Sequence, residues 1–308
     1  MVNLMNDIVA KENQPTFIDR LLAQRNLYSG AKLLSVILFV LCILVPIGLS
    51  FAKYSYPCIN ILPKMVVVYG VAATIIRIIL KDATESYQGF AARVQQQFDT
   101  ELFDIPWNTP LCGSKPLPEE IYKYSRKGDR TSLSNWYDEI VATLPKSVGS
   151  LVCMRTNVVY DKGLRNKFFS GCVVVFFVAV TLVIVWGLAN NTGLWDAFLY
   201  GMLPLMPIVT WFIDVWKQHV KSMKVLDNLY SLIISALDGA RGGVDVPKDT
   251  LTEIQNFMFL HRKSSYLIPD CIYRMLRSES EAEAYYGARK ICEQYNLQSG
   301  VHPNMSLT

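Results

Sequence analysis

Four apolar stretches, each of membrane-spanning length, constrain this chain more than any other feature. Residues 31–52 read AKLLSVILFVLCILVPIGLSFA and 59–80 read INILPKMVVVYGVAATIIRIIL. Residues 168–189 read FFSGCVVVFFVAVTLVIVWGLA and 194–216 read LWDAFLYGMLPLMPIVTWFIDVW. A helix needs about 20 mostly apolar residues to cross a hydrocarbon core of roughly 30 Å, and each stretch has that length. Core helices of a soluble protein rarely stay uncharged through their middle third over such a span. The first stretch starts thirty residues in and lacks a small-residue cleavage pattern, so it reads as a span rather than a signal peptide. The expected fold class is therefore all-α, an integral membrane protein with four transmembrane helices in two hairpins and a helical cytosolic domain.

Topology follows from the connections. Lys53 to Cys58 and Asn190 to Gly193 are too short for anything but tight hairpins, which puts the N-terminus, the middle segment and the tail on one side. Of thirty lysines and arginines, four lie in the N-terminal segment through Lys32, twelve between Lys81 and Lys167, and eleven after Trp216. Only Lys53, Lys64 and Arg77 fall elsewhere. The positive-inside rule assigns the shared side to the cytoplasm, with both termini there. Tyr54, Tyr56, Trp186, Trp195 and Trp216 sit at headgroup positions. The expected division is an N-terminal cytosolic helix (1–30), hairpin one (31–80), a cytosolic helical segment (81–167), hairpin two (168–216) and a C-terminal cytosolic segment (217–308).

The cytosolic parts read as helices joined by breakers. Thr16 is positioned to cap a helix that leads into the first span. From Met65 to Phe98 there is no proline, so the second span should continue as a rod about 50 Å long, ending at Pro106 and Pro110. PLPEEIYKY and SLSNWYDEIVATL read as helical, and Val148 to Lys167 as a helix feeding span three. After span four, Val220, Met223, Leu226, Tyr230, Ile233 and Leu237 recur every three or four residues. GARGGVDVP breaks that helix, and two more are expected over 250–264 and 278–295. Pro204 and Pro207 should kink span four.

No spacing that marks an enzyme is present: no GxxxxGK[ST], GxSxG, HExxH or glycine-rich dinucleotide fingerprint. The seven cysteines form no CxxC pair and the three histidines are far apart in sequence, so no metal, cofactor or catalytic residue is expected. Ionisable residues in the spans lie near their ends, which disfavours a proton pump. Two clusters suit an anionic ligand. Arg126, Lys127 and Arg130 precede Trp136 and Tyr137, and His261, Arg262 and Lys263 precede Arg274 and Arg277. Arginine forks match phosphate oxygens and an aromatic face stacks a base. Solvent or lipid headgroups would serve the same charges. The segment FDTELFDIPWN reads as a structural hinge built on Phe98, Phe103, Pro106 and Trp107, its acidic residues Asp99, Glu101 and Asp104 suited to intersubunit ion pairs.

LLAQRNLYSGAKLL, VQQQFDTELFDIPWN and EIQNFMFLHRKSSYLIPDCIYRMLRSESE, with the four spans in order, resemble the bacterial family of SMODS-associating four-transmembrane effectors. Cys271 in IPDCIYRML departs from the aromatic expected there. The resemblance implies a membrane effector of antiphage defence that works with a nucleotidyltransferase making a cyclic oligonucleotide. It further implies sensing of that messenger, permeabilisation of the inner membrane by an oligomer, and abortive infection. It transfers no ligand-binding residues. Four helices enclose little water, so a pore needs several subunits. The alternative is a membrane scaffold that recruits a soluble partner through its basic helices. A stable stoichiometric partner in pull-downs, with no change in membrane potential, would mark that role.

Overall fold

The computed structural model describes residues 6–55, 61–189, 193 and 203–298. Ten α-helices lie in these residues, and no strand is found among them. They are α1 (Ile8–Glu12), α2 (Pro15–Phe39), α3 (Val45–Ser55), α4 (Leu62–Leu102), α5 (Thr109–Cys112), α6 (Pro118–Ser125), α7 (Lys146–Ala189), α8 (Leu203–Arg241), α9 (Lys248–Ser264) and α10 (Asp270–Gln298).

Long helices that belong to two environments define the architecture. Helix α7 has 44 residues, which at 1.5 Å each is about 66 Å. It carries a polar half, Lys146 to Lys167, straight into an apolar half. Residues 15–49 and 146–185 are the two helical stretches among the described residues long and apolar enough to cross a membrane. Helix α4 is likewise unbroken over 41 residues. Its expected span turns Met65, Val68, Val71, Ile75 and Ile79 outward as exposed apolar surface. The hairpin tips expected at 53–58 and 190–193 lie largely outside the described residues, as do Trp195 and the first part of the expected fourth span. A π-helical turn, Val40–Leu44, joins α2 to α3 just before Pro46. A proline has no amide hydrogen to give the preceding turn, and a wider turn accommodates the missing bond.

Beyond the apolar halves the helices pack into a polar-surfaced body. Helix α2 lies along α4, α7 is flanked by α8 and α10, and α9 bridges α4 and α8. The main core joins Phe17, Phe98, Leu151, Met154, Leu226, Ile233 and Met258, among others. Leu226, Ile233 and Leu237 of the expected α8 stripe are buried, whereas Val220 is exposed because the buried face of α8 runs through Val215, His219 and Ser222 instead.

Several local expectations are corrected. Helix α2 starts at Pro15 with Gln14 as its cap, not at Thr16, because proline at the first helical position has no donor to satisfy. Helix α1 had no counterpart in the sequence reading. It brings in Glu12, which is 1% exposed and accepts the Tyr137 amide at 3.2 Å. Burial pushes the Glu12 carboxyl up to about 8. SLSNWYDEIVATL does not form an amphipathic α-helix. Asn135 adopts φ 57°, and the Asp138 carboxylate accepts from the Ile140 amide, leaving only 3₁₀ turns at Thr131–Leu133 and Glu139–Thr143. Short polar side chains compete for backbone groups in this way. Helix α10 starts eight residues earlier than expected, at Asp270 directly after Pro269.

Candidate functional site

A cavity of about 690 Å³ opens inside the helical body. That is within the range of sites for small organic ligands. Helices α2, α4, α7, α8, α9 and α10 and the loop after α6 line it. Arg25, Tyr28, Ser29 and Lys32 project from one face of α2, at spacings of three, four and seven. Tyr273, Arg274, Arg277, Glu281 and Tyr285 do the same from α10. Trp136 and Tyr137 come from the loop after α6, and Asn157, Tyr160, Asp161 and Arg165 from the polar half of α7.

Aromatic edges set one wall. Trp136 meets Tyr160 edge-on at 5.4 Å and Tyr285 at 6.2 Å. Its indole N–H donates to Asn157 Oδ1 at 3.1 Å, and Asn157 Nδ2 donates to Tyr137 Oη at 3.0 Å. Tyr160 donates its hydroxyl to Tyr273 at 2.8 Å. Burial pushes the Tyr160, Tyr273 and Tyr285 phenols up, so all three stay neutral donors. An indole so held offers a flat apolar face at a fixed angle.

Ionic groups set the other walls, and most are already matched. Six lysines and arginines line the cavity: Arg25, Lys32, Arg165, Arg262, Arg274 and Arg277. Four carboxylates face them, Asp99, Asp161, Asp270 and Glu281. Asp99 takes Arg262, Asp161 takes Arg165, Asp270 takes Lys32 and Glu281 takes Arg277. Burial opposes the Asp270 charge, but Lys32 and Ser29 outweigh it and hold this carboxyl below its usual range. Burial likewise opposes Arg277, and Glu281 more than restores its charge. Arg25 and Arg274 remain. Among the described residues Arg25 donates to Ser132 Oγ at 3.0 Å, and Arg274 to the Asp270 carbonyl at 3.3 Å. Among the described residues neither forms an ion pair, although Arg274 lies near enough to Asp270 to help lower its carboxyl, so two exposed guanidinium groups are left facing an aromatic-walled cavity.

The floor of the cavity is wired toward the apolar halves. Arg165, whose side chain is 8% exposed, donates to Asp161 at 2.9 Å, to the Tyr266 carbonyl at 3.0 Å and to Ser265 Oγ at 2.9 Å. His261 Nε2 lies 2.8 Å from the same Asp161 oxygen. Tyr266 Oη meets His219 Nδ1 at 3.1 Å. The His219 ring stacks on Phe169 at 4.1 Å, and Phe176 stacks on Phe212 at 4.2 Å within the apolar half of α7. Phe169 and Phe212, 6.2 Å apart and near parallel, join the two stacks.

The expected ligand clusters are split by this geometry. Trp136, Tyr137, Arg262, Arg274 and Arg277 line the cavity together. Arg126 and Lys127 do not, and the Lys127 carbonyl is occupied by Asn26 Nδ2 at 2.8 Å. Arg130 is held outside by Asp19 at 2.9 Å and the Ser125 carbonyl at 3.0 Å. Lys263, one residue from Arg262, faces away into a different groove. Arg25, Lys32, Tyr160 and Tyr285 were not anticipated. The polar stripe Arg25, Tyr28, Ser29, Lys32 directly before an apolar span was the available signal.

In FDTELFDIPWN the structure places a helix end. Phe98 packs edge-on against Phe17 at 5.5 Å, and Phe103 caps α4 beside Tyr137 at 6.3 Å. Asp104 then takes φ 54°, Pro106 follows in the extended stretch, and Trp107 donates to the Gly113 carbonyl at 2.8 Å. The acidic residues are committed within the chain rather than left for a neighbour. Asp99 pairs with Arg262, Glu101 with Arg20 at 2.7 Å, and Asp104 with Lys11 at 2.9 Å and with Lys146.

Residues 6–291 match the family model of the SMODS-associating 4TM effector domain. The chain belongs to this family. A probable CBASS effector molecule of Bacillus cereus (strain VD146) is 26% identical over 283 residues, covering 90% of this chain and 95% of that protein. No solved structure matches. The effector domain is thus a membrane protein whose match runs through both the cavity and the apolar halves.

Gly128 gives the cavity loop a testable dependence. It takes φ 138°, and a Cβ there would stand 2.6 Å from Leu22 Cδ1, in the buried face of α2. Gly128→Ala is expected to cost about 1–3 kcal/mol from the backbone conformation and crowding. Thermal unfolding in detergent should fall by about 5 °C. Gly89→Ala, in α4 with nothing near its Cβ, should leave the midpoint unchanged or raise it slightly.

Proposed function

We propose that this chain is a membrane effector of bacterial antiphage defence, which binds a cyclic oligonucleotide in the cavity and permeabilises the inner membrane as an oligomer, causing abortive infection. In this reading the chain crosses the membrane four times, both termini are cytoplasmic, and a cyclic-oligonucleotide synthase supplies the messenger. The observation that carries it is the pair of unmatched arginines, Arg25 and Arg274, facing the Trp136–Tyr285 wall. Phosphodiesters need cations that no carboxylate already holds, and bases need a rigid aromatic face. Two unmatched charges suit a ligand with at least two phosphates.

The two arginines stand on α2 and α10, so one bound ligand ties both helices. Helix α2 continues into an apolar stretch, and α10 packs along α7, which does the same. A ligand that binds more tightly when these helices are drawn together shifts the population toward that arrangement. The exposed apolar faces of α4 and α7 are the surfaces that neighbouring subunits would cover. The test is leakage from dye-filled liposomes holding the purified protein. Release is expected with one cyclic di- or trinucleotide and not with its linear form. No release with any of them, while the synthase still needs this protein to protect cells, would remove direct gating.

A further inference from the structure

A second and larger groove, about 1560 Å³, lies where the polar body meets the apolar halves. Its lining includes the cations Arg77, Lys81, Lys167 and Lys263. It also includes the apolar Val36, Phe39, Val175, Met206 and Trp211, from three different helices. Arg77 and Lys167 are boundary residues in the sequence as well: one lies three positions from the end of the second apolar stretch and the other directly before the third. The groove therefore lies at the boundary between the polar body and the apolar halves, with apolar and cationic side chains in one lining.

The charges differ in what they already hold. Lys167 is engaged by Glu279 at 3.1 Å and Glu283 at 3.3 Å. Lys81 has only a long contact with Glu85, 3.8 Å, between two exposed side chains. Among the described residues, Arg77 and Lys263 make no ion pair. Asp214, which makes no ion pair among the described residues, and Glu85 also line the groove, so its charge is mixed, with the four cations Arg77, Lys81, Lys167 and Lys263 outnumbering the two carboxylates. The amphipathic lining, cations and an apolar cleft in one groove, is complementary to one kind of molecule: a phosphate head with hydrocarbon chains.

We infer that this groove is a binding site for an anionic glycerophospholipid, its phosphate held by Arg77, Lys81 and Lys263 and one acyl chain laid between α2, α7 and α8. A free phosphate would leave the apolar cleft uncovered, and a neutral zwitterionic lipid would leave the cations unneutralised. The groove shares a wall with the cavity. Gln88, Ser265, Tyr266 and Leu267 line both, and Gln88 Nε2 donates to the Arg262 carbonyl at 3.0 Å and the Ser265 carbonyl at 2.6 Å. The assignment needs only a chain embedded in a bilayer, whatever messenger the cavity takes.

The experiment uses the full-length protein in nanodiscs of phosphatidylcholine containing a minority of phosphatidylglycerol. The protein is then extracted in mild detergent, and retained lipid is counted by native mass spectrometry. Phosphatidylglycerol should be retained in preference to phosphatidylcholine, and inorganic phosphate should not displace it. Replacing Arg77, Lys81 and Lys263 by Gln is expected to lower retention by about fivefold per charge, the effect of one basic residue near an anionic surface. Lys217→Gln with Lys221→Gln, equally basic positions on α8 that do not line the groove, should retain lipid as the native chain does. Gly171→Leu tests the cleft without touching a charge. Gly171 lines the groove with nothing within 4 Å of its Cβ position, so a larger side chain enters open groove space. It should lose phosphatidylglycerol while keeping the native helical circular dichroism. Equal loss in the Lys217/Lys221 control, equal retention of phosphatidylcholine, displacement by inorganic phosphate, or undiminished retention in both groove variants would each overturn the site.

Discussion

Arg25→Ala combined with Arg274→Ala is expected to weaken cyclic-oligonucleotide binding by several hundredfold while leaving the fold intact. A charge-assisted hydrogen bond contributes about 1.5–3 kcal/mol, roughly a factor of ten to a hundred in affinity for each arginine. The structural cost is small because both side chains are exposed and each gives one hydrogen bond within the protein, to Ser132 and to the Asp270 carbonyl. Isothermal titration with the ligand that triggers liposome leakage reads the affinity, and thermal unfolding in detergent reads the fold. The informative control is Arg126→Ala with Arg130→Ala. Those residues looked like phosphate ligands in the sequence, yet Arg130 is spent on Asp19 and neither lines the cavity. That control should bind as the native chain does. If it lost affinity and the Arg25/Arg274 pair did not, the ligand would sit on the loop after α6 and the cavity would be empty of function.

The contrast shows what a one-dimensional reading can and cannot find. The apolar stretches and the unbroken α4 and α7 were legible because a helix imposes one period along its whole length. The breaks at GARGGVDVP and after α4 were legible for the same reason. A cavity wall is different. Arg25 and Arg274 are far apart in the chain and meet only because α2 and α10 converge. Clustering by adjacency grouped Arg262 with Lys263, which successive helical positions point to different cavities, 100° apart by geometry. The acidic residues of FDTELFDIPWN were read as free for a neighbouring subunit because their partners Lys11, Arg20 and Lys146 come from distant segments. The segment 132–144 was misread for another reason: a 3.6-residue period was present, but Asn135 and Asp138 diverted the backbone locally.

Arg165→Met is the second substitution with a large expected effect, and it separates stability from ligand binding. Arg165 is nearly enclosed and its neighbour Asp161 is part-buried. Burial disfavours the Asp161 carboxylate, but Arg165, then His261, outweigh it and hold its pKa well below the usual carboxylate range. Removing one partner of a buried pair leaves the other charge uncompensated, at about 3–5 kcal/mol. The lost donors to the Tyr266 carbonyl and Ser265 add to this. For a chain of this size the thermal midpoint should drop by roughly 10 °C. The pH dependence has a definite sign. A depressed carboxyl contributes stability that is present above its unfolded value of about 3.9 and lost as pH falls through the lower folded value. The gap between native and Arg165→Met proteins should therefore be widest near neutral pH and narrow below about pH 4, where protonation relieves the stranded Asp161. Asp161→Asn added to Arg165→Met should recover much of the midpoint at neutral pH, because no charge is then left buried alone. A midpoint for Arg165→Met equal to the native one, at every pH, would mean that water screens the pair. The floor of the cavity would then lack the rigid link to Tyr266 and His219 through which binding is proposed to reach the spans.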